Sequence, residues 1–160
     1  MAIEGPLVPR NVTTVLSLDD VRLAGRTVLY RVDVNSPLDP STGAFLDDSR
    51  LRSTLDTLNN LSDSKVVIMG HQSRPGKIDF TDMAGHSDRL SRLIGQQIQF
   101  VEDICGDEAI AAIEEMQPGE KVFINNVRMH PEEYGENKVR AEDESTSEIV
   151  TRLSSVADAY

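Results

Sequence analysis

Four short apolar runs, rich in β-branched and aromatic residues, punctuate this chain, and leucines and isoleucines at helical spacing occupy the intervals between them. Thr27-Val28-Leu29-Tyr30, Lys65-Val66-Val67-Ile68-Met69, Ile98-Gln99-Phe100-Val101 and Lys121-Val122-Phe123-Ile124 predict buried strands. Leu51, Leu55, Leu58 and Leu61 predict an amphipathic helix over residues 48–63, with Asp47 or Asp48 near its cap. Leu90, Leu93 and Ile94 mark a helix stopped by Gly95, and His86 near its start reads as a solvent-facing or capping residue. Ile110, Ile113 and Met116 form the inner face of a helix capped by Asp107 and ended by Pro118-Gly119; Ile149, Leu153 and Val156 mark a last helix. A short helix is expected from Ser17, closed by Gly25, after an irregular arm at residues 1–11, and residues 134–144 are charged and expected to be exposed.

Strands alternating with helices predict an α/β fold: a doubly wound, Rossmann-like parallel sheet with helices on both faces, a three-layer α/β/α arrangement. Ala157-Asp158-Ala159-Tyr160 reads as the entrance to a further strand, so the domain is expected to be truncated before its last strands.

Three of the strands run into polar loops. Asp33 and Asn35 follow the first, two residues apart and therefore on one face of an extended segment; both can accept hydroxyl hydrogen bonds, and Pro37 ends the run. Asp, Asn, Ser and Pro are also ordinary turn residues, so a plain turn accounts for the same spelling. His71 and Arg74 follow the second strand, and Asn126 and Arg128 the fourth. In a parallel sheet such loops surround one crevice at the carboxyl ends of the strands. Arginine offers a planar fork of donors that meets phosphate or carboxylate oxygens in pairs, so a small phosphorylated acid fits this set. Arg50, in the first turn of its helix, would approach the anion from the end favoured by the helix dipole.

Composition narrows the partners. Among 160 residues, 27 acids against 16 Lys and Arg give a net charge of -11, which argues against nucleic acid or an anionic membrane as a partner. No apolar run approaches a membrane span and the first residues lack signal-peptide architecture, so a cytoplasmic protein is expected. Cys105 is the single cysteine, which excludes an internal disulfide, and no Cys/His spacing predicts a metal site. No GxGxxG follows the first strand, and no GxxxxGK[ST], HExxH or GxSxG occurs.

The motifs RVDVNSP at 31–37, DDSRLR at 47–52, GHQSRPGK at 70–77 and NNVRMHPEE at 125–133, in that order, resemble the amino-terminal domain of the phosphoglycerate kinases, and HQSRPGKIDF followed by His86 resembles the archaeal branch. The resemblance implies reversible phosphoryl transfer between 1,3-bisphosphoglycerate and ADP, giving 3-phosphoglycerate and ATP. It implies that residues 1–160 are the substrate-binding domain and that the nucleotide domain, where Mg-ATP or Mg-ADP binds, is absent, so that this domain binds no cofactor and is inactive alone. Carried over by residue, it implies that Asp33 and Asn35 bind the glycerate hydroxyl and carboxyl end. His71, Arg74 and Arg128 would form the cationic pocket for carboxylate and phosphate, and Arg50 would stabilise the transferring phosphoryl group. Asn125 stands where the family commonly has Glu, and Met129 where an aromatic residue is usual; both flank Arg128 and leave it in place. The alternatives are a stand-alone, non-catalytic binding module for a small phosphorylated acid and a purely structural protein, the latter giving no reason for the arginines to meet one crevice.

Overall fold

The computed structural model describes residues 17–134 and 144–160; the arm expected at residues 1–11 and most of the charged segment 134–144 lie outside the described residues. Four strands, β1 (Thr27–Arg31), β2 (Lys65–Met69), β3 (Gln99–Val101) and β4 (Lys121–Ile124), form one parallel sheet in the order β1-β2-β4-β3. The helices are α1 (Ser49–Ser53), α2 (Leu55–Asn60), α3 (Ala84–Ile94), α4 (Asp107–Glu115) and α5 (Glu148–Val156). At the free edge of β1, Val28 bridges Ala159 in parallel, and the Leu29 amide donates to the Ala159 carbonyl at 2.9 Å.

The period of two along the strands sorts the core into two layers. Val66 and Ile68 of β2 and Phe123 of β4 pack with Leu51, Leu58, Met83 and Leu90 on the face covered by α1, α2 and α3. Val67, Met69, Val122 and Ile124 face the other way, onto Ala109, Ile113, Ile149 and Leu153 of α4 and α5. Strands buried on both faces explain why their sequences read as continuous apolar runs.

The order of connections places the crevice. From β1 to β2 and from β2 to β3 the chain moves across the sheet in one direction, over the first face; from β3 to β4 and from β4 to Ala159 it returns over the second. The neighbours β2 and β4 therefore send their following segments to opposite faces. In folds of this kind ligands bind at the carboxyl end of the sheet, between two such loops.

Local structure departs from the sequence reading at five places. The helix expected over 48–63 is two pieces, because the Ser53 and Thr54 hydroxyls donate to the carbonyls of Arg50 and Leu51 at 2.7 and 2.8 Å and compete with the helical ladder. The expected helix after Ser17 is a single 3₁₀ turn, Leu18–Asp20. Asp107 is the exposed first residue of α4 rather than its cap; Gly106 holds the cap position without a side chain, and Asp103 accepts the amides of Gly106 and Ala109 at 3.0 and 3.1 Å. On the same helix Ala109 and Ile113 are buried while Ile110 is only half-buried.

His86 is the largest correction. It is 1% exposed, four residues before Leu90 on the inner face of α3, and neither solvent-facing nor a cap. Its ring meets Phe45 edge-on with centroids 4.8 Å apart, and its Nε2 lies 3.1 Å from Gln72 Oε1. Burial pushes its pKa down to about 4 against the smaller, opposing pull of the Val34 backbone, so the ring is neutral at neutral pH.

Candidate anion-binding site

The loops after β1, β2 and β4 meet at this crevice because backbone bonds continue past the strand ends. The Val32 amide donates to the Met69 carbonyl at 2.9 Å, and the Val127 amide to the Gly70 carbonyl at 3.1 Å. Gly70 permits the approach: a Cβ there would stand 2.9 Å from Val34 Cγ2 and 3.2 Å from the Val32 carbonyl oxygen.

Burial alternates from Val32 to Ser36, with Val32, Val34 and Ser36 inward and Asp33 and Asn35 outward. Asp33 and Asn35 thus share the crevice face, and they are also a turn, since Asp33 Oδ1 accepts the Asn35 amide at 3.3 Å. The other carboxylate oxygen of Asp33 pairs with Arg50, linking the β1 loop to the first turn of α1. Both side chains are about half exposed or more, at 65% and 48%, so the pair is worth about 0–1 kcal/mol and gives way readily to a competing anion.

Ser73 is the junction of the three loops. Its amide donates to Asn35 Oδ1 at 2.7 Å, its carbonyl accepts Arg128 Nη1 at 2.6 Å, and its hydroxyl donates to Asp79 at 2.6 Å. These bonds hold it at φ +54°, a left-handed conformation that costs a non-glycine residue energy and that surrounding bonds must enforce. The bond to Ser73 holds the Asn35 side chain against the β2 loop and leaves one lone pair of Oδ1 and both amide hydrogens without a partner in this bond. Asn126 is fully buried: its Nδ2 donates to the carbonyls of Gln72 and Thr81, and its Oδ1 accepts the Arg128 amide at 3.1 Å. Arg128 also lies over the Tyr134 ring, 5.9 Å from its centroid.

His71 is half-buried beside these groups. Burial lowers its pKa, the Arg128 guanidinium lowers it further, and Asp33 opposes both. Arg74 is exposed on the same loop and, among the described residues, forms no ion pair. Arg31, absent from the sequence-based set, grips Glu133 through two bonds of 2.7 and 3.0 Å at the same end of the sheet; that carboxylate, outweighing burial, raises the Arg31 pKa. The two residues stand far apart in sequence, and spacing offered no signal for their pairing. Among the described residues no cluster of three His, Cys, Asp or Glu side chains is placed to hold a metal ion.

Arginines on two loops, a helix-borne arginine and buried amides behind them suit an anionic ligand carrying more than one charged group. The family model for phosphoglycerate kinase matches residues 18–160. The chain belongs to the phosphoglycerate kinase family. It is similar to phosphoglycerate kinases of Methanocorpusculum labreanum, 44% identical over 144 residues, and Methanothermus fervidus, 45% identical over 148 residues; each alignment covers 90% of this chain and 35% of the relative. The phosphoglycerate kinase of Pyrococcus horikoshii superposes with a TM-score of 0.84 at 34% identity, over 90% of this chain and 35% of that one. The phosphoglycerate kinase of Coxiella burnetii, with a TM-score of 0.64 at 22% identity, shares the fold. The chain thus spans about a third of the length of the phosphoglycerate kinases it matches. Among the described residues no helix is long and apolar enough to cross a membrane.

Proposed function

We propose that this chain is the acid-binding part of a phosphoglycerate kinase, which takes 3-phosphoglycerate or 1,3-bisphosphoglycerate in the crevice between the loops after β1, β2 and β4. The carrying observation is the junction at Ser73, which ties Asn35 and Arg128 to one backbone residue beside His71 and Arg74. In this reading Arg74, Arg128 and His71 receive the 3-phosphate and carboxylate, while Asp33 and Asn35 read the glycerate end. Binding an anion beside His71 favours its protonated form, so affinity rises as pH falls toward the usual histidine range.

The reaction is reversible transfer between 1,3-bisphosphoglycerate and ADP. Phosphoryl transfer asks chiefly for alignment and charge stabilisation, with little covalent work for the protein. Arg50 is suited to that task because its exposed pair with Asp33 is cheap to open, leaving the guanidinium free to follow charge between donor and acceptor oxygens. Mg-nucleotide is supplied by the part of the enzyme corresponding to the remaining length of the relatives, with domain closure completing the site. The working compartment in this reading is the cytoplasm.

The test is titration of the chain with 3-phosphoglycerate, followed by NMR amide shifts, with glycerate as the control lacking phosphate. Shifts confined to residues 31–37, 70–77 and 125–130 are expected, with binding weakened about tenfold or more in Arg74→Ala. No shift up to about 10 mM, an affinity below the weakest useful range, refutes a preassembled pocket. Detectable ATP formation from 1,3-bisphosphoglycerate and ADP by the pure chain refutes the assignment of nucleotide binding to another part.

A further inference from the structure

Behind the crevice lies a polar side chain that touches none of the groups assigned to the ligand. Gln72 is fully buried between His71 and Ser73, where its side chain points inward while its neighbours face the opening. Its Oε1 accepts the Ser36 amide at 3.0 Å, and its Nε2 donates to the Ser36 carbonyl at 2.9 Å. One side chain thereby replaces a rung of backbone pairing between the β1 and β2 loops, at the residue next to Asn35. Its own carbonyl accepts Asn126 Nδ2 at 2.9 Å, which ties in the β4 loop.

The two Ser36 bonds fix which end of the amide is oxygen, because one backbone partner donates and the other accepts. For the 3.1 Å contact from Gln72 Oε1 to His86 Nε2 to be a hydrogen bond, the imidazole hydrogen sits on Nε2, in competition with the Val34 backbone acceptor. His86 in turn is braced by Phe45 and by its place on α3.

We propose that Gln72 is a positioning residue: its side-chain amide, oriented by His86, clamps the Asn35 loop against Ser73 and so sets the end of the crevice that reads the glycerate portion of the ligand. The choice of ligand rests on the function proposed above; the clamp does not. A space-filling apolar side chain cannot substitute, since it would leave the Ser36 amide and carbonyl buried without partners.

Three readouts test this in the wild-type chain and in Gln72→Leu, His86→Leu and His86→Gln. Nitrogen-15 NMR of wild-type His86 is expected to show the Nε2–H tautomer; the Nδ1–H tautomer overturns the orientation. In Gln72→Leu the Ser36 amide is expected to exchange with solvent at least about tenfold faster while the β2 amides are unchanged, as loss of one local bond requires; unchanged exchange at Ser36 overturns the clamp. Affinity for 3-phosphoglycerate is expected to fall about tenfold in Gln72→Leu and His86→Leu, with that for inorganic phosphate held within about twofold, because only the glycerate end is displaced. His86→Gln retains an N–H donor and is expected to restore 3-phosphoglycerate binding. Equal losses for both ligands, or no rescue, overturn the positioning role. A wild-type chain with the expected tautomer that binds neither ligand overturns the proposed function and the glycerate assignment while the exchange result still decides the clamp. If the leucine variants do not fold, the wild-type tautomer and His86→Gln decide the matter.

Discussion

His86 makes the stability of this chain depend on pH in a window where few other groups titrate. Its pKa moves from the usual 6.5 to about 4 on folding. The unfolded chain therefore takes up a proton near its ordinary histidine pKa, whereas the folded chain resists it until about two and a half units lower. Stability is complete above the unfolded value and is lost as pH falls, by about 2 kcal/mol between about pH 7 and about pH 5 and about 3 kcal/mol by about pH 4. Against a typical total of about 5–15 kcal/mol for a domain, that loss is a large share. His71, also lowered by burial, adds to it in the same direction. The depressed carboxylates Asp48, Asp103 and Glu132 add only below the ordinary carboxylate range, where the unfolded chain begins to protonate them.

Urea unfolding followed by circular dichroism at several pH values, on wild type and His86→Gln, isolates the His86 contribution. Glutamine keeps a donor toward Gln72 Oε1 but does not titrate, so the wild-type curve is expected to be steeper by up to about 1.4 kcal/mol per pH unit inside the window, the limit for one proton. The difference between slopes, not the absolute stability of the variant, is the quantity read. Parallel curves, or an NMR titration placing the folded imidazole near its unperturbed value, would refute the burial argument.

Two further substitutions probe the frame of the crevice. Gly70→Ala places a methyl group 2.9 Å from Val34 Cγ2 and 3.2 Å from the Val32 carbonyl oxygen, and is expected to lower stability by about 1–3 kcal/mol through overpacking; a calorimetric melt unchanged from wild type would sink this reading. Asp103→Ala removes the acceptor for the amides of Ile104, Gly106 and Ala109 and is expected to cost about 1–2 kcal/mol, read by urea unfolding at neutral pH. Burial raises the Asp103 pKa, but those amides together more than offset it; its contribution is present above the unfolded carboxylate value and lost as pH falls through the lower folded one, so wild type and variant should converge in acid.

The strands and the two-sided core were legible because apolar periodicity is a local property: Val66, Val67, Ile68 and Met69 are all buried, and a continuous apolar run says so without knowledge of the partner strands. Helix interiors were less so where hydroxyls compete with the backbone, as Ser53 and Thr54 do between α1 and α2. The helix face at His86 was available and misread. Four residues separate it from Leu90, the spacing of one helical face, but a histidine near a helix start also suits a cap, and the two readings diverge only when Gln72 and Phe45 are in place.

At the crevice, the residues offered to a ligand and the residues that hold them differ in kind. Asp33, Asn35, His71, Arg74 and Arg128 could be read as chemistry because they are polar at the ends of apolar runs, where burial no longer accounts for residue choice. Gln72 and Asn126 stand in the same loops and look alike in sequence, yet each is fully buried and hydrogen-bonds backbone groups of other loops. Alternation separates the two sets only if the loop is extended, and the left-handed Ser73 breaks that alternation beside Gln72. Arg128 is therefore held through Ser73 by bonds between segments tens of residues apart, each too small to leave a sequence pattern. In the function proposed above, an exposed cation such as Arg74 would gain specificity from this frame, since a flexible guanidinium on an unanchored loop would meet any anion, whereas one beside a fixed Ser73 and Arg128 would meet an anion of defined length.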